Sequence, residues 1–146
     1  LKYNQWVDQG IVKVRYLRKN QEKRSVLYGI VEQISPDRIY LNGVFSYFYS
    51  VMPLFLFRNY HIIISPRGML IEEALKIKLY KKRCFLLVMK WVKAYQNVIW
   101  QFSNEHEYQE SQKSVSIKRH YIIPNLTKSI KVKSVLENPS FELISL

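Results

Sequence analysis

Short runs of β-branched and aromatic residues recur along this 146-residue chain, separated by longer stretches in which apolar residues return every three or four positions. The runs at 10–17, 38–42, 61–65, 97–102 and 120–123 have the composition of strands, and the stretches between them that of helices. Regular alternation of this kind predicts an α/β fold with a mainly parallel sheet and helices on both of its faces.

Boundary residues sharpen the pattern. A helix over 23–34 is expected to stop at Ser35-Pro36-Asp37, because proline restricts the residue before it and cannot continue a helix. The stretch 44–58 is apolar on every side, so it belongs against the sheet or along a cleft, with Pro53 near a turn. The longest helical region, 71–94, is expected to break near Tyr80 and to turn Leu75, Leu79, Leu86 and Met89 inward. Ser103-Asn104 directly after a strand is an N-cap signal, and Glu107 three residues past Asn104 predicts a capping box for a helix running to about Lys113. Glu105, Glu107 and Glu110 then complement the start of that helix, a structural role. A final strand is expected at 141–146. Residues 1–126 therefore form one domain, and 127–146 read as a linker and the start of a further domain.

Charge changes the picture. With 23 Lys and Arg against 11 Asp and Glu the net charge is +12, a field that attracts phosphate groups, nucleic acids or anionic lipid. The single cysteine, Cys84, lies in the apolar setting of Phe85-Leu86-Leu87-Val88-Met89 and is expected in the core. Residues 1–20 carry no apolar stretch suited to a signal peptide, and the run 44–57 falls short of the roughly 20 residues a spanning helix needs. The expected location is cytoplasmic, with room for peripheral attachment at the inner face of the membrane.

The most informative motif is Ile63-Ile64-Ser65-Pro66-Arg67-Gly68-Met69-Leu70, an apolar strand that ends in a proline, an arginine and a glycine before a basic helix begins. Open α/β sheets bind ligands outside such strand ends. Ser65-Pro66-Arg67-Gly68-Met69-Leu70, followed by Ala74-Leu75, Lys78 and Lys81-Lys82, resembles a signature of family-4 glycosyltransferases of the GT-B class. The neighbouring segments 36–46, Phe102-Ser103-Asn104-Glu105-His106-Glu107 and Ile122-Ile123-Pro124-Asn125 resemble the family in the same order, so the resemblance covers roughly 10–125.

It implies an incomplete, Rossmann-like N-terminal domain that faces the acceptor. In this family a second domain holds the nucleotide sugar, and a sugar passes with retention to a lipid-linked or polysaccharide acceptor. The resemblance implies that the family's first βα unit lies outside this chain, and no G-x-G-x-x-G occurs among the four glycines. Leu126 stands where the family has glycine, and Ile71-Glu72-Glu73 where it often has Ser-Pro-aromatic. The chain alone is thus expected to be inactive, without catalytic residues, resident cofactor or metal ligands of its own. Apolar surface is expected where the missing parts would pack, with association of the isolated chain as its consequence.

For acceptor or phosphate binding the candidates are Asn42, Gly43, Ser46, Arg67 and Gly68, at the ends of two strands. Arg67 offers a bidentate cation for phosphate or carboxylate, against the alternative of an ion pair to Glu72 or Glu73. Asn42, Gly43 and Ser46 could bind sugar hydroxyls or serve the turn alone. Lys76, Lys78, Lys81, Lys82, Arg83, Lys90 and Lys93, with no acid between Ala74 and Ala94, form a basic stretch suited to an anionic membrane surface or to a solvated face. His61, His106 and His120 are scattered and suggest no metal site. The competing functions are a basic module that binds nucleic acid and an inactive scaffold of the same fold.

Overall fold

The computed structural model describes residues 3–124 and, as backbone, 143–145. The chain divides into two compact units, Leu1–Ser35 and Pro36–Leu146.

In the first unit, β1 (Trp6–Asp8) and β2 (Lys13–Arg15) pair antiparallel, with Val7 opposite Val14. The strand expected over 10–17 is therefore one arm of a hairpin and no part of the parallel sheet. The reason is the turn: Gly10 adopts φ +80°, its N–H donates to Asp8 Oδ1 at 3.1 Å, and Gln9 N donates to Val12 O at 2.8 Å. Helix α1 (Arg24–Ile34) follows, with Leu27, Ile30 and Val31 buried, and Ser35 ends it in the left-handed conformation just before Pro36.

The second unit holds a sheet of five strands, all parallel. These are β3 (Arg38–Asn42), β4 (His61–Ser65), β5 (Val98–Phe102), β6 (His120–Ile122) and β7 (Leu143–Ser145), in the spatial order β6-β5-β4-β3-β7. Register is continuous across the first two, from Arg38 opposite His61 to Asn42 opposite Ser65, so both strands end level. The backbone of β7, within the segment read as the start of a further domain, pairs with β3; residues 125–142 lie outside the described residues.

Apolar side chains on the central strands, Ile39, Leu41, Ile62, Ile64, Val98, Trp100 and Phe102, form the floor of the core. The stretch between β3 and β4 is a π-helical turn, Tyr47–Val51, running into α2 (Met52–Leu56). Pro53 has no N–H to continue an i→i−4 ladder, and just ahead of it Met52 N reaches back five residues to Tyr47 O. Phe48, Leu54 and Phe57 are buried, in keeping with an all-apolar segment.

Between β4 and β5 lie α3 (Glu72–Lys76) and α4 (Leu79–Trp91). They break at Ile77 and Lys78, ahead of Tyr80, where Lys78 turns left-handed with φ +60°. Lys82 Nζ closes the corner by donating to Ala74 O at 2.6 Å, satisfying a carbonyl at the end of α3. Leu75, Leu86 and Met89 are buried as expected. Cys84 is exposed, a correction to its expected place in the core. Two residues from Leu86 on a helix is about 200° of rotation, which carries the thiol to the outer face whatever its hydrophobicity.

Helix α5 (Glu105–Gln112) connects β5 to β6. Tyr95, behind the end of α4, lies with its ring 5.1 Å from that of Trp100, and its buried hydroxyl has no partner among the described residues. Burial pushes the ionisation of Tyr95 up. Above about pH 10 the unfolded chain releases the phenol proton while the folded chain holds it, so stability falls as pH rises. Tyr95→Phe is expected to match or slightly exceed the parent at neutral pH and to pull ahead of it in alkali. Urea midpoints of both proteins at about pH 8 and about pH 11 test this; a gap that does not widen with pH refutes it.

Candidate functional site

The level ends of β3 and β4, with β5 ending one residue further on, bring three loops together at the C-terminal edge of the sheet. After β4 the chain makes a tight turn, in which Met69 N donates to Pro66 O at 3.0 Å. Both central residues have positive φ, Arg67 at +51° and Gly68 at +74°, as in a type I′ turn. Glycine adopts this conformation freely, whereas an arginine there is held at a cost of roughly 1–2 kcal/mol. Strain of that kind persists only where surrounding contacts over-determine the backbone.

Those contacts come from both neighbouring loops. On the β3 side, Gly43 N donates to Ser65 O at 2.8 Å, and Arg67 Nε donates to Asn42 Oδ1 at 3.0 Å. Gly43, at φ +101°, also leaves room for Met69: a Cβ on it would stand 3.0 Å from the methionine methyl.

On the β5 side the link is Glu107. Its carboxylate is buried, at 4% exposure, and takes donors from two loops. Oε1 accepts from Gly68 N at 2.5 Å, while Oε2 accepts from Ser103 N at 2.8 Å and Ser103 Oγ at 2.7 Å. Acceptance on both oxygens is the pattern of a carboxylate. Asn104 caps α5 through Oδ1, which accepts from Glu107 N at 2.8 Å. Only half of the expected capping box forms, since the glutamate side chain reaches past the cap to Ser103 and across to the β4 loop.

The candidate residues divide accordingly. Asn42, Gly43, Arg67 and Gly68 meet at one edge. Ser46 sits at the start of the π-helical turn, where its Oγ accepts from Tyr49 N at 3.2 Å. Glu72 pairs with Lys76 at 3.1 Å on the exposed face of α3. Glu107 and Ser103, assigned only structural roles by their place at a helix start, are the residues that tie the edge together. The signal available in the sequence was the four-residue spacing from Ser103 to Glu107, one helical turn, which swings a carboxylate back over the end of β5.

His61 opens β4 at the opposite end of the sheet, and His120 stacks on Tyr108 with ring centroids 3.9 Å apart. Glu110 bonds to Lys113, which lowers the carboxyl pKa and raises that of the ammonium. Among the described residues no group of three His, Cys, Asp or Glu gathers as a metal would require. A cavity of about 230 Å³ opens at the far edge, between Leu54, Arg58, Ile62, Lys93 and Val98.

The edge thus presents a guanidinium fixed by an amide, beside a glycine whose backbone N–H is committed to a buried carboxylate. It can orient an anionic or hydroxylated ligand. Comparison of the chain with family models, with curated proteins and with solved structures returns no match.

Proposed function

We propose that this chain is the acceptor-side part of a sugar transferase of the GT-B class, with the nucleotide sugar held by a domain beyond it. One observation carries the reading: Arg67 is kept in a left-handed conformation at the C-terminal edge of a parallel sheet, with Asn42 accepting from its Nε. A parallel α/β sheet binds its ligands at that edge, and backbone strain concentrates where a ligand is held. The resemblance of 65–70 and 102–107 to the glycosyltransferase family supports the same reading, because Gly68 and Glu107 from those two segments are in contact.

In this reading Arg67 takes a phosphate or carboxylate of donor or acceptor, Asn42 keeps the guanidinium plane in place, and Ser46 and the Gly43 backbone lie beside the acceptor hydroxyls. The contribution to rate is orientation and charge stabilisation, not proton transfer by the chain itself.

Two substitutions separate function from fold. Arg67→Gly removes the strained side chain and is expected to leave stability within about 1 kcal/mol of the parent, with any change offset by the freer unfolded chain. Transfer from a panel of nucleotide sugars to a membrane lipid extract, assayed with the full-length protein, is expected to collapse in Arg67→Gly and in Arg67→Ala while circular dichroism is unchanged. Full turnover in both variants, or salt-sensitive binding to RNA with no transfer from any donor, overturns the reading.

A further inference from the structure

Helix α4 carries two apolar faces. The inner one, with Leu86 and Met89, is buried, and Phe85 packs edge-on against Phe45 at 5.4 Å. The outer one is open: Tyr80 and Trp91 are each 84% exposed, Leu87 66% and Val88 56%. Tyr80, Cys84, Leu87 and Trp91 follow one another at intervals of four, three and four residues, so they lie in one stripe along the helix. Ile77, 66% exposed at the corner with α3, extends it.

Cations border the stripe. Lys81, Arg83 and Lys90 are exposed on α4, with Lys78 at the corner, while Lys76 is already paired with Glu72. Lys82 leaves the set, since its ammonium bonds to Ala74 O and stands 5.1 Å from the Phe45 ring. No acid lies between Ala74 and Ala94 to neutralise them.

We infer that the outer face of α4 docks on an anionic lipid surface, with Tyr80, Leu87, Val88 and Trp91 entering the interface and Lys81, Arg83 and Lys90 meeting the headgroups. This inference is independent of the sugar-transfer reading. Charge decides against a second copy of the chain, because face-to-face stripes would bring the same cations together with no acid at the flanks to pair them. Nucleic acid would engage the cations and stack on the aromatics, but leaves Leu87 and Val88 without a role. Lipid uses all of these groups: aliphatic side chains in the acyl boundary, Trp and Tyr at headgroup level, and Lys and Arg on phosphates. At 13 residues the helix is about 20 Å long, so it lies in the plane of the interface. No helix among the described residues is long and apolar enough to cross a membrane.

The test is flotation with vesicles of phosphatidylcholine alone and of phosphatidylcholine mixed with phosphatidylglycerol, followed by tryptophan emission. Of three tryptophans, Trp100 is wholly buried and Trp91 is the most exposed, so a blue shift on binding reports on Trp91. The parent is expected to float with the anionic vesicles only, to shift to the blue, and to be released by salt. Lys81→Gln/Arg83→Gln/Lys90→Gln should weaken partition by roughly a hundredfold. Leu87→Ser should weaken it with the charge intact, and Trp91→Phe should bind without the spectral shift. All five positions are exposed, so the fold tolerates the changes.

Absence of flotation with anionic vesicles overturns the inference. So does equal partition onto neutral vesicles, or binding untouched by the triple charge variant. A dimer in sedimentation equilibrium that Leu87→Ser dissolves, without lipid binding, gives the stripe to a second copy instead. RNA binding lost with the same cations, again without lipid binding, gives it to nucleic acid.

Discussion

Glu107→Ala is expected to lower the stability of the fold by about 4 kcal/mol, because it strands three donors at once in a buried place. Each of Gly68 N, Ser103 N and Ser103 Oγ loses an acceptor that carried charge, and a bond to a charged group contributes roughly 1.5–3 kcal/mol. The total is less than the sum, since the serine hydroxyl can rotate to another partner and the three bonds share one group. Glu107→Gln is no conservative change here. It keeps one acceptor oxygen but turns an amide NH2 toward a backbone N–H, setting donor against donor. It should cost about half as much as alanine.

Urea unfolding measures the totals, and hydrogen exchange at the Gly68 amide supplies the local readout. The amide should be protected in the parent and exchange freely in Glu107→Gln. A loss under about 1 kcal/mol for alanine, or a Gly68 amide equally protected in both proteins, would show that the carboxylate does not bind the two loops. Because Gly68 adjoins Arg67, the same variants should loosen the strained turn, and under the proposed sugar-transfer reading the transfer rate should fall further than stability alone predicts.

Trp100 is the second place where a large effect is expected. It is 0% exposed, its ring is stacked within 7° of Phe102 at 6.1 Å, and its indole N–H finds no acceptor among the described residues. Trp100→Ala opens a cavity in the centre of the sheet and should cost about 3–5 kcal/mol. Trp100→Phe keeps an aromatic ring beside Phe102 and Tyr95 while deleting the unpaired donor. The relief of that donor, about 1–3 kcal/mol, offsets much of the lost volume, so the variant should fall within about 1.5 kcal/mol of the parent. Equal destabilisation by alanine and phenylalanine in denaturant titrations would mean that the indole nitrogen is well bonded after all.

Local pattern accounts for most of the elements. The runs Arg38–Asn42 and His61–Ser65 are dense in Ile, Leu and Tyr and are closed by proline or polar residues, and both strands begin and end where that composition changes. Asn104 after a strand end marked the cap of α5, which forms with the expected bond to Glu107 N. Ile71 to Ala94 was legible as helix with its inner face. Its break, expected near Tyr80, falls at Ile77 and Lys78, and the exact corner depends on Lys78 turning left-handed and on Lys82 reaching a carbonyl eight residues away. The pattern over 10–17 predicts a single strand in place of the hairpin of the first unit, since a three-residue strand carries too short a pattern to reveal its pairing.

The candidate edge was half legible. Asn42, Gly43, Arg67 and Gly68 stand at strand ends that the sequence marks by composition. The bond from Gly68 to Glu107 spans 39 residues, and no periodicity or cap encodes a contact at that distance. Cys84 and the open stripe on α4 were hidden for a related reason. Hydrophobicity says that a residue prefers burial, but only the rotation of the helix against the sheet decides which of two apolar faces is covered.

The sequence by itself therefore determined the alternation of strand and helix, the strand ends where Arg67 stands, and the sign of the surface charge. These follow from backbone propensities, capping and composition, which act within a few residues. Tertiary structure alone decided that Arg67 is held left-handed, that Glu107 joins two loops, and that Tyr80, Leu87 and Trp91 face outward. Each of these is set by packing between segments distant in the chain, where the balance of burial against hydrogen bonding exists only once the sheet has formed.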